Sequence, residues 1–198
     1  MIKTDKLKYN LILNKTSTYY IEQSASNSFH LMLKAGKKLA NQIFINYKKR
    51  KTLIICGIGG NGGDGFIVAQ ELLNKKWDTD VVIIGNKNLI KGDALKALNQ
   101  LKIKPKDFED IDLSKIGLFV DALFGIGLSR KINNKAKEIL KTIDKHKAPI
   151  VGVDIPSGID SNTGQVRGYA PYCDLVITFS TLKYGHILVP GSEKYNKI

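Results

Sequence analysis

Apolar residues along this chain follow two alternating rhythms. Between residues 27 and 49, in NSFHLMLKAGKKLANQIFINYKK, residues Phe29, Leu31, Met32, Ala35, Leu39, Ile43 and Phe44 recur at the spacing of a helix with one buried face. The next run, TLIIC (52–56), is short and unbroken, as in a strand covered on both sides. The alternation then repeats. FIVAQELLNKK (66–76) predicts a helix opening from a glycine loop, DVVIIG (80–85) a strand, and IKGDALKALNQL (90–101) a helix. GLFVDALFG (117–125) runs from strand to loop, NNKAKEILKTIDKH (133–146) predicts a helix, and PIVGVDIPSG (149–158) is again strand to loop. DLVITF (174–179) closes the pattern as a strand, and HILVP (186–190) is read as one more. Strands separated by helices imply βαβ units with right-handed crossovers, and so an α/β domain built on a parallel sheet with both faces covered.

In open α/β sheets ligands bind beyond the carboxyl ends of the strands. Three loops lie there: GIGGNGGDG (57–65), DALFGIGLSRK (121–131) and DIPSGID (154–160). In the first, Gly57, Gly59 and Gly62 match the GxGxxG spacing of a dinucleotide fingerprint, and a helix starting near Gly65 would offer free N–H groups to an anion. Two features argue against an ordinary NAD-dependent dehydrogenase. The second strand ends in IIGNKN, without the acid that would hold a ribose, and Asp64 stands where pyrophosphate would be repelled. No GxxxxGK[ST] sequence makes a P-loop.

The acids carry more information. Asp121 ends LFVD and Asp154 ends VGVD; with Asp64 they bring carboxylates to one glycine-lined edge, beside the neutral oxygens of Asn61 and Ser157. Such a set suits a weakly charged hard cation or acid–base chemistry, and no His/Cys cluster suits zinc. Asp160, in SGIDSNTG, reads as a turn cap. His30 and His146 read as structural, while His186 is left open. Arg130, in GLSRK, is equally a phosphate partner and a surface arginine.

Composition narrows the class. A chain of 198 residues, 43% hydrophobic and 25% charged, suits one domain spanning 1–198. The net charge of +13 raises the question of nucleic acid, but the excess is lysine; the only arginines are Arg50, Arg130 and Arg167. The densest run, YKKRK (47–51), falls where a helix ends, and cations suit the dipole there. No nucleic-acid partner is expected. No apolar run is long enough for a membrane span, the amino terminus lacks the features of a signal peptide, and Cys56 and Cys173 both lie in apolar stretches. A cytoplasmic protein with two reduced, buried cysteines is expected, with no membrane partner.

Taken together, GIGGNGGDGFIVAQEL, VDALFGIGLSR and VDIPSGIDSNTG resemble the YjeF N-terminal family, the NAD(P)H-hydrate epimerases. CDLVITFSTLKYG (173–185) is similar to the family's AD.TITF...K.G segment, and LMLKAG (31–36) to its LMExAG. The resemblance implies a Rossmann-like three-layer αβα sandwich with a mostly parallel sheet. It implies interconversion of the R and S forms of hydrated NADH and NADPH (NADHX and NADPHX), coupled to an ADP- or ATP-dependent dehydratase, and a bound potassium ion. Carried over by motif, the potassium ligands are Asn61, Asp121 and Ser157. The substrate contacts are Gly60, Asn61, Gly62, Gly63, Asp64, Gly125, Ile126, Gly127, Leu128, Ser129, Arg130, Lys131 and Asp154. A homodimer is compatible with the resemblance, as is a dehydratase domain following this one. Two departures stand out: Gly60 replaces the first of two adjacent asparagines, and Leu33 replaces the glutamate of LMExAG.

Inverting C6 of the hydrated ring requires breaking a bond there, either by loss of hydroxide to an iminium ion or by ring opening. Both routes need a carboxyl that gives and takes a proton, and Asp154 is the expected catalytic group. Asp64 is either a substrate contact or an acid that locks the loop. The alternative function is a non-catalytic binding module of the same fold, in nucleotide or RNA metabolism.

Overall fold

A two-residue strand, β1 (Ile12–Leu13), and helix α1 (Lys15–Gln23) precede the long helix α2 (Ser28–Asn46). The chain then alternates as its hydrophobic pattern requires: β2 (Thr52–Cys56), α3 (Gly60–Asn74), β3 (Thr79–Ile83), α4 (Gly92–Gln100), β4 (Leu118–Ala122), α5 (Asn134–Asp144) and β5 (Ile150–Val153). After a long loop come β6 (Cys173–Ile177), the short β7 (Leu182–Lys183) and β8 (Tyr195–Lys197). The computed structural model describes residues 11–24 and 27–198; the first ten residues, part of the stretch read as lacking a signal peptide, lie outside the described residues.

Six strands form one all-parallel sheet in the order β3-β2-β4-β5-β6-β8, and β1 pairs with β7 in a separate parallel ribbon. Alternate side chains of each strand face opposite layers. Ile54 and Cys56 of β2 pack with α2, α3 and α4, while Leu53 and Ile55 pack with α5. The strands are buried on both faces, which is why TLIIC reads as continuous rather than alternating. Asn27 caps α2 by accepting from His30 N–H at 3.0 Å, and Asn133 caps α5 by accepting from Ala136 N–H at 2.8 Å.

The structure corrects two expectations. HILVP is not a strand: residues 184–186 form a 3-10 turn, the N–H groups of Ile187 and Leu188 donate to Tyr184 O, and Val189 is 63% exposed. The place beside β6 belongs to Tyr195–Lys197 instead. Second, α3 begins at Gly60 rather than near Gly65, so most of the expected glycine loop is helix.

The chain turns to opposite sides of β2 on leaving it, first to β3 and then back across to β4. That order reversal puts a crevice between the carboxyl ends of β2 and β4. Gly57 N–H donates to Ala122 O there at 3.0 Å.

Candidate active site

The start of α3 shows why so many glycines are needed. None of Gly57, Gly59, Gly60, Gly62, Gly63 or Gly65 has a positive φ, so the left-handed backbone is not the reason. Close packing accounts for four of them. A Cβ on Gly57 would lie 2.0 Å from Leu123 O, and one on Gly62 1.9 Å from Gly57 O. One on Gly63 would meet Met32 at 2.8 Å, and one on Gly65 both Cys56 Sγ and Ala122 Cβ at 2.7 Å. Gly59 and Gly60 differ: they are exposed, and a Cβ on either would meet nothing within 4 Å. Gly59 caps the helix without a side-chain bond, so the first N–H groups of α3 open onto free space beside the crevice. Asp64 lies one turn into the helix and is half-buried; after burial, its charge pushes the Cys56 thiol further up.

Asp121 and Ser157 meet as expected. Asp121 sits in β4, fully buried. Its Oδ1 accepts from Ser157 Oγ–H at 2.6 Å and Leu123 N–H at 3.2 Å, and its Oδ2 accepts from Ser157 N–H at 2.9 Å. Ser157 Oγ accepts in turn from Phe124 N–H at 2.9 Å. Burial pushes the Asp121 carboxyl up, against the pull of those hydrogen bonds, and no cationic side chain among the described residues offsets its charge. Asn61 reaches the same corner from α3, since a Cβ on Gly125 would lie 2.9 Å from Asn61 Oδ1. The other amide terminus, Nδ2, is buried without a partner. An amide can present its oxygen at either position, so an orphaned amide end beside an uncompensated carboxylate is a donor set that fits a monovalent cation. Among the described residues no group of three or more His, Cys, Asp or Glu could hold a metal.

Asp154 belongs to a different cluster one loop position away. It follows β5 with φ +65°, a left-handed conformation that costs a non-glycine residue roughly 1 kcal/mol and that aspartate tolerates better than most. Two bonds hold it: Asp154 N–H donates to Ile177 O at 2.9 Å, and His186 Nε2–H donates to Asp154 O at 2.8 Å. His186 Nδ1 accepts from Lys183 N–H at 3.0 Å, which puts the ring proton on Nε2. Burial pushes His186 down to about 4, so the ring is neutral. The Asp154 side chain is bound at one oxygen only. Oδ1 accepts from Lys183 Nζ at 2.5 Å and Thr178 Oγ1–H at 3.0 Å. Oδ2 has no partner among the described residues and keeps access to solvent.

The remaining expected contacts are distributed unevenly. Leu128 is half-buried and packs on the core. Ile126 O accepts from Ser161 Oγ–H at 3.4 Å, and Gly127 O from Lys15 Nζ at 3.3 Å. Ser129, Arg130 and Lys131 are exposed on the rim, and Arg130 forms no ion pair with the described residues. Asp160 is the turn cap it was read to be: Oδ1 accepts from the N–H groups of Asn162 and Thr163, and Oδ2 from Arg167. Leu33 packs against the core and lines a groove with Lys37 and Ile67, so hydrophobic contact has taken over that position. A surface depression of about 700 Å³ between Phe44, Tyr47 and Trp77 lies at the amino ends of the strands, away from the chemistry. Sequence reasoning assigned no role to Thr178 and Lys183. The signal was present in CDLVITFSTLKYG, where Thr178 and Lys183 fall on the second T and the K of the AD.TITF...K.G segment.

A doubly wound α/β domain with polar groups gathered at the switch point is a nucleotide-binding type of architecture. The comparisons are more specific. The family model described as "YjeF-related protein N-terminus" matches residues 28–185, and the chain belongs to that family. It is 31% identical over 188 residues to the NAD(P)H-hydrate epimerase of Limosilactobacillus fermentum, covering 91% of this chain and 88% of that protein. It is 30% identical over 168 residues to the bifunctional NAD(P)H-hydrate repair enzyme Nnr of Methanopyrus kandleri, covering 78% of this chain. The chain spans only about a third of the length of such bifunctional relatives, 34% in that case. The crystal structure of the yeast protein ynu0 (YNL200c) superposes with a TM-score of 0.72 over 93% of this chain and 86% of that one, at 18% identity, and shares the fold.

Proposed function

We propose that this chain is an NAD(P)H-hydrate epimerase, an isomerase that interconverts the R and S forms of NADHX and NADPHX. The observation that carries the reading is Asp154, a strained carboxylate with one oxygen fixed and the other free, on the sheet edge that also carries the open start of α3. The exposed Gly59 and Gly60 leave room for the dinucleotide to approach backbone N–H groups, with Arg130 and Lys131 on the rim near its phosphates.

In its protonated form Asp154 gives the proton on Oδ2 to the C6 hydroxyl, which leaves as water while the ring nitrogen lone pair forms an iminium. The resulting carboxylate faces the cation. Water then adds to the other face of C6 and loses a proton to solvent, and Asp154 Oδ2 takes one back from solvent. Asn61, Asp121 and Ser157 would hold potassium, which would neutralise the buried Asp121 charge and fix the ends of the two loops. The names of the bifunctional relatives support coupling to a dehydratase that consumes one epimer.

The complete set Asn61, Asp121, Asp154 and Ser157 favours an enzyme over a binding module, which has no need of a fixed carboxylate. The test is chromatography of mixed hydrate epimers in the presence of a dehydratase. The R form is expected to disappear rapidly only when this protein is added; an unchanged rate would remove the assignment.

A further inference from the structure

We infer that Lys183 and Thr178 are positioning residues that aim Asp154, and that Asp154 works through Oδ2 alone; this rests on the epimerase reading above. The Lys183 side chain has no solvent exposure, an expensive place for an ammonium unless every donor is matched. Here all three are. Nζ donates to Asp154 Oδ1 at 2.5 Å, Thr178 Oγ1 at 2.8 Å and Phe179 O at 3.0 Å. No donor remains for a substrate, so Lys183 acts only through the groups it holds. Thr178 Oγ1 accepts from Lys183 and donates to Asp154 Oδ1, closing a ring of three side chains.

The consequence falls on Asp154. A carboxylate turns easily about its last torsion, and either oxygen can face a ligand. With Oδ1 bound twice on the buried side, that rotation is blocked and Oδ2 is presented in one direction. The main chain is fixed as well, by His186 from the segment that carries Lys183. The strand bearing Lys183 is itself paired: Leu13 of β1 stands opposite Lys183 in β7. The ammonium thus lies behind the carboxylate as its fixed counter-charge, present when the proton has left Oδ2 and the ring is cationic. A residue needed only for folding would not require a bound carboxylate to keep one oxygen free.

The test is a double-mutant cycle on the full chain. Kinetics of hydrate epimerisation are measured for wild type, Lys183→Met, Thr178→Val, Asp154→Asn and Asp154→Asn/Lys183→Met, with thermal melting for each. Lys183→Met is expected to lower kcat on the order of 100-fold, as misaligned catalytic groups do, with KM changed less than about 3-fold. Thr178→Val should lower kcat by about 10-fold, since one of two bonds to Oδ1 survives. The double variant should be no slower than Asp154→Asn alone, because Lys183 has nothing to position once the carboxylate is gone. If Lys183→Met fails to fold, Thr178→Val and the double variant, which buries no uncompensated charge, decide the matter. A folded Lys183→Met with wild-type kcat, a Thr178→Val with wild-type kcat, or a double variant markedly slower than Asp154→Asn overturns the inference while leaving the epimerase intact. A wild type without activity overturns both.

Discussion

Asp154 and His186 show how single residues combine to fix one carboxyl group in place. The aspartate adopts a left-handed backbone, and the neutral imidazole of His186 holds its carbonyl. Burial pushes His186 down to about 4 from an unfolded value near 6.5. On acidification the unfolded chain therefore takes up a proton at His186 before the folded chain does. Stability falls as the pH drops from about 6.5 toward 4, by on the order of 3 kcal/mol for the whole window. Urea unfolding at pH 7 and pH 5 should show a smaller loss in His186→Gln, which has no such titration, than in the wild type. Equal losses would show that the histidine does not carry this pH dependence. His186 was left open in the sequence because it follows a predicted loop. Its role depends on Asp154 and Lys183, and only Lys183 lies close in sequence; the carbonyl it holds is 32 residues away.

Among the elements, α3 departs furthest from what its residues suggest. GxGxxG spacing implies a loop whose glycines serve a ligand, whereas four of the six glycines serve close packing against neighbouring loops, helices and strands and two remain open. These groups separate by substitution. Gly62→Ala drives a methyl against Gly57 O and should cost about 3 kcal/mol of stability. Gly60→Ala meets nothing, and alanine is the better helix former, so stability should stay within about 0.5 kcal/mol while KM for the hydrate rises. Denaturant midpoints and substrate saturation curves read out both; a destabilised Gly60→Ala would contradict the open space. The helix start was illegible because glycine has low helix propensity, and propensity yields to tertiary contact where a backbone must approach another closely. By contrast β2, β3, β4, β5 and β6 fell near their expected positions, since an unbroken apolar run bounded by polar residues leaves few alternatives. The strand Tyr195–Lys197 was missed because YNK carries only one apolar residue.

At the scale of the molecule, the parallel sheet explains why residues from distant segments converge. Every strand of the six-stranded sheet ends on the same edge, so Asp121, Asp154 and the start of α3 come to one edge although 93 residues separate Asn61 from Asp154. That convergence was legible from the βαβ pattern. The division into an Asp121 corner and an Asp154 corner was not, because it depends on side-chain hydrogen bonds rather than strand order. The Asp121 corner leads to a prediction about the whole fold. A cation that binds only the folded chain stabilises it, by about 2.7 kcal/mol at 100 times its Kd, or roughly 5–10 °C in Tm for a chain of this size. Melting in potassium chloride should exceed melting in choline chloride at equal ionic strength, and Asp121→Asn should lose the difference. Identical curves for the wild type would remove potassium from the site.

The open glycines carry a last consequence. In a saturation scan selected for folding alone, positions 59 and 60 should accept most side chains, while 57, 62, 63 and 65 reject them. Selected for turnover, 59 and 60 should become intolerant too. Subtracting one map from the other would trace the outline of the proposed substrate on the protein surface without any crystal of the complex.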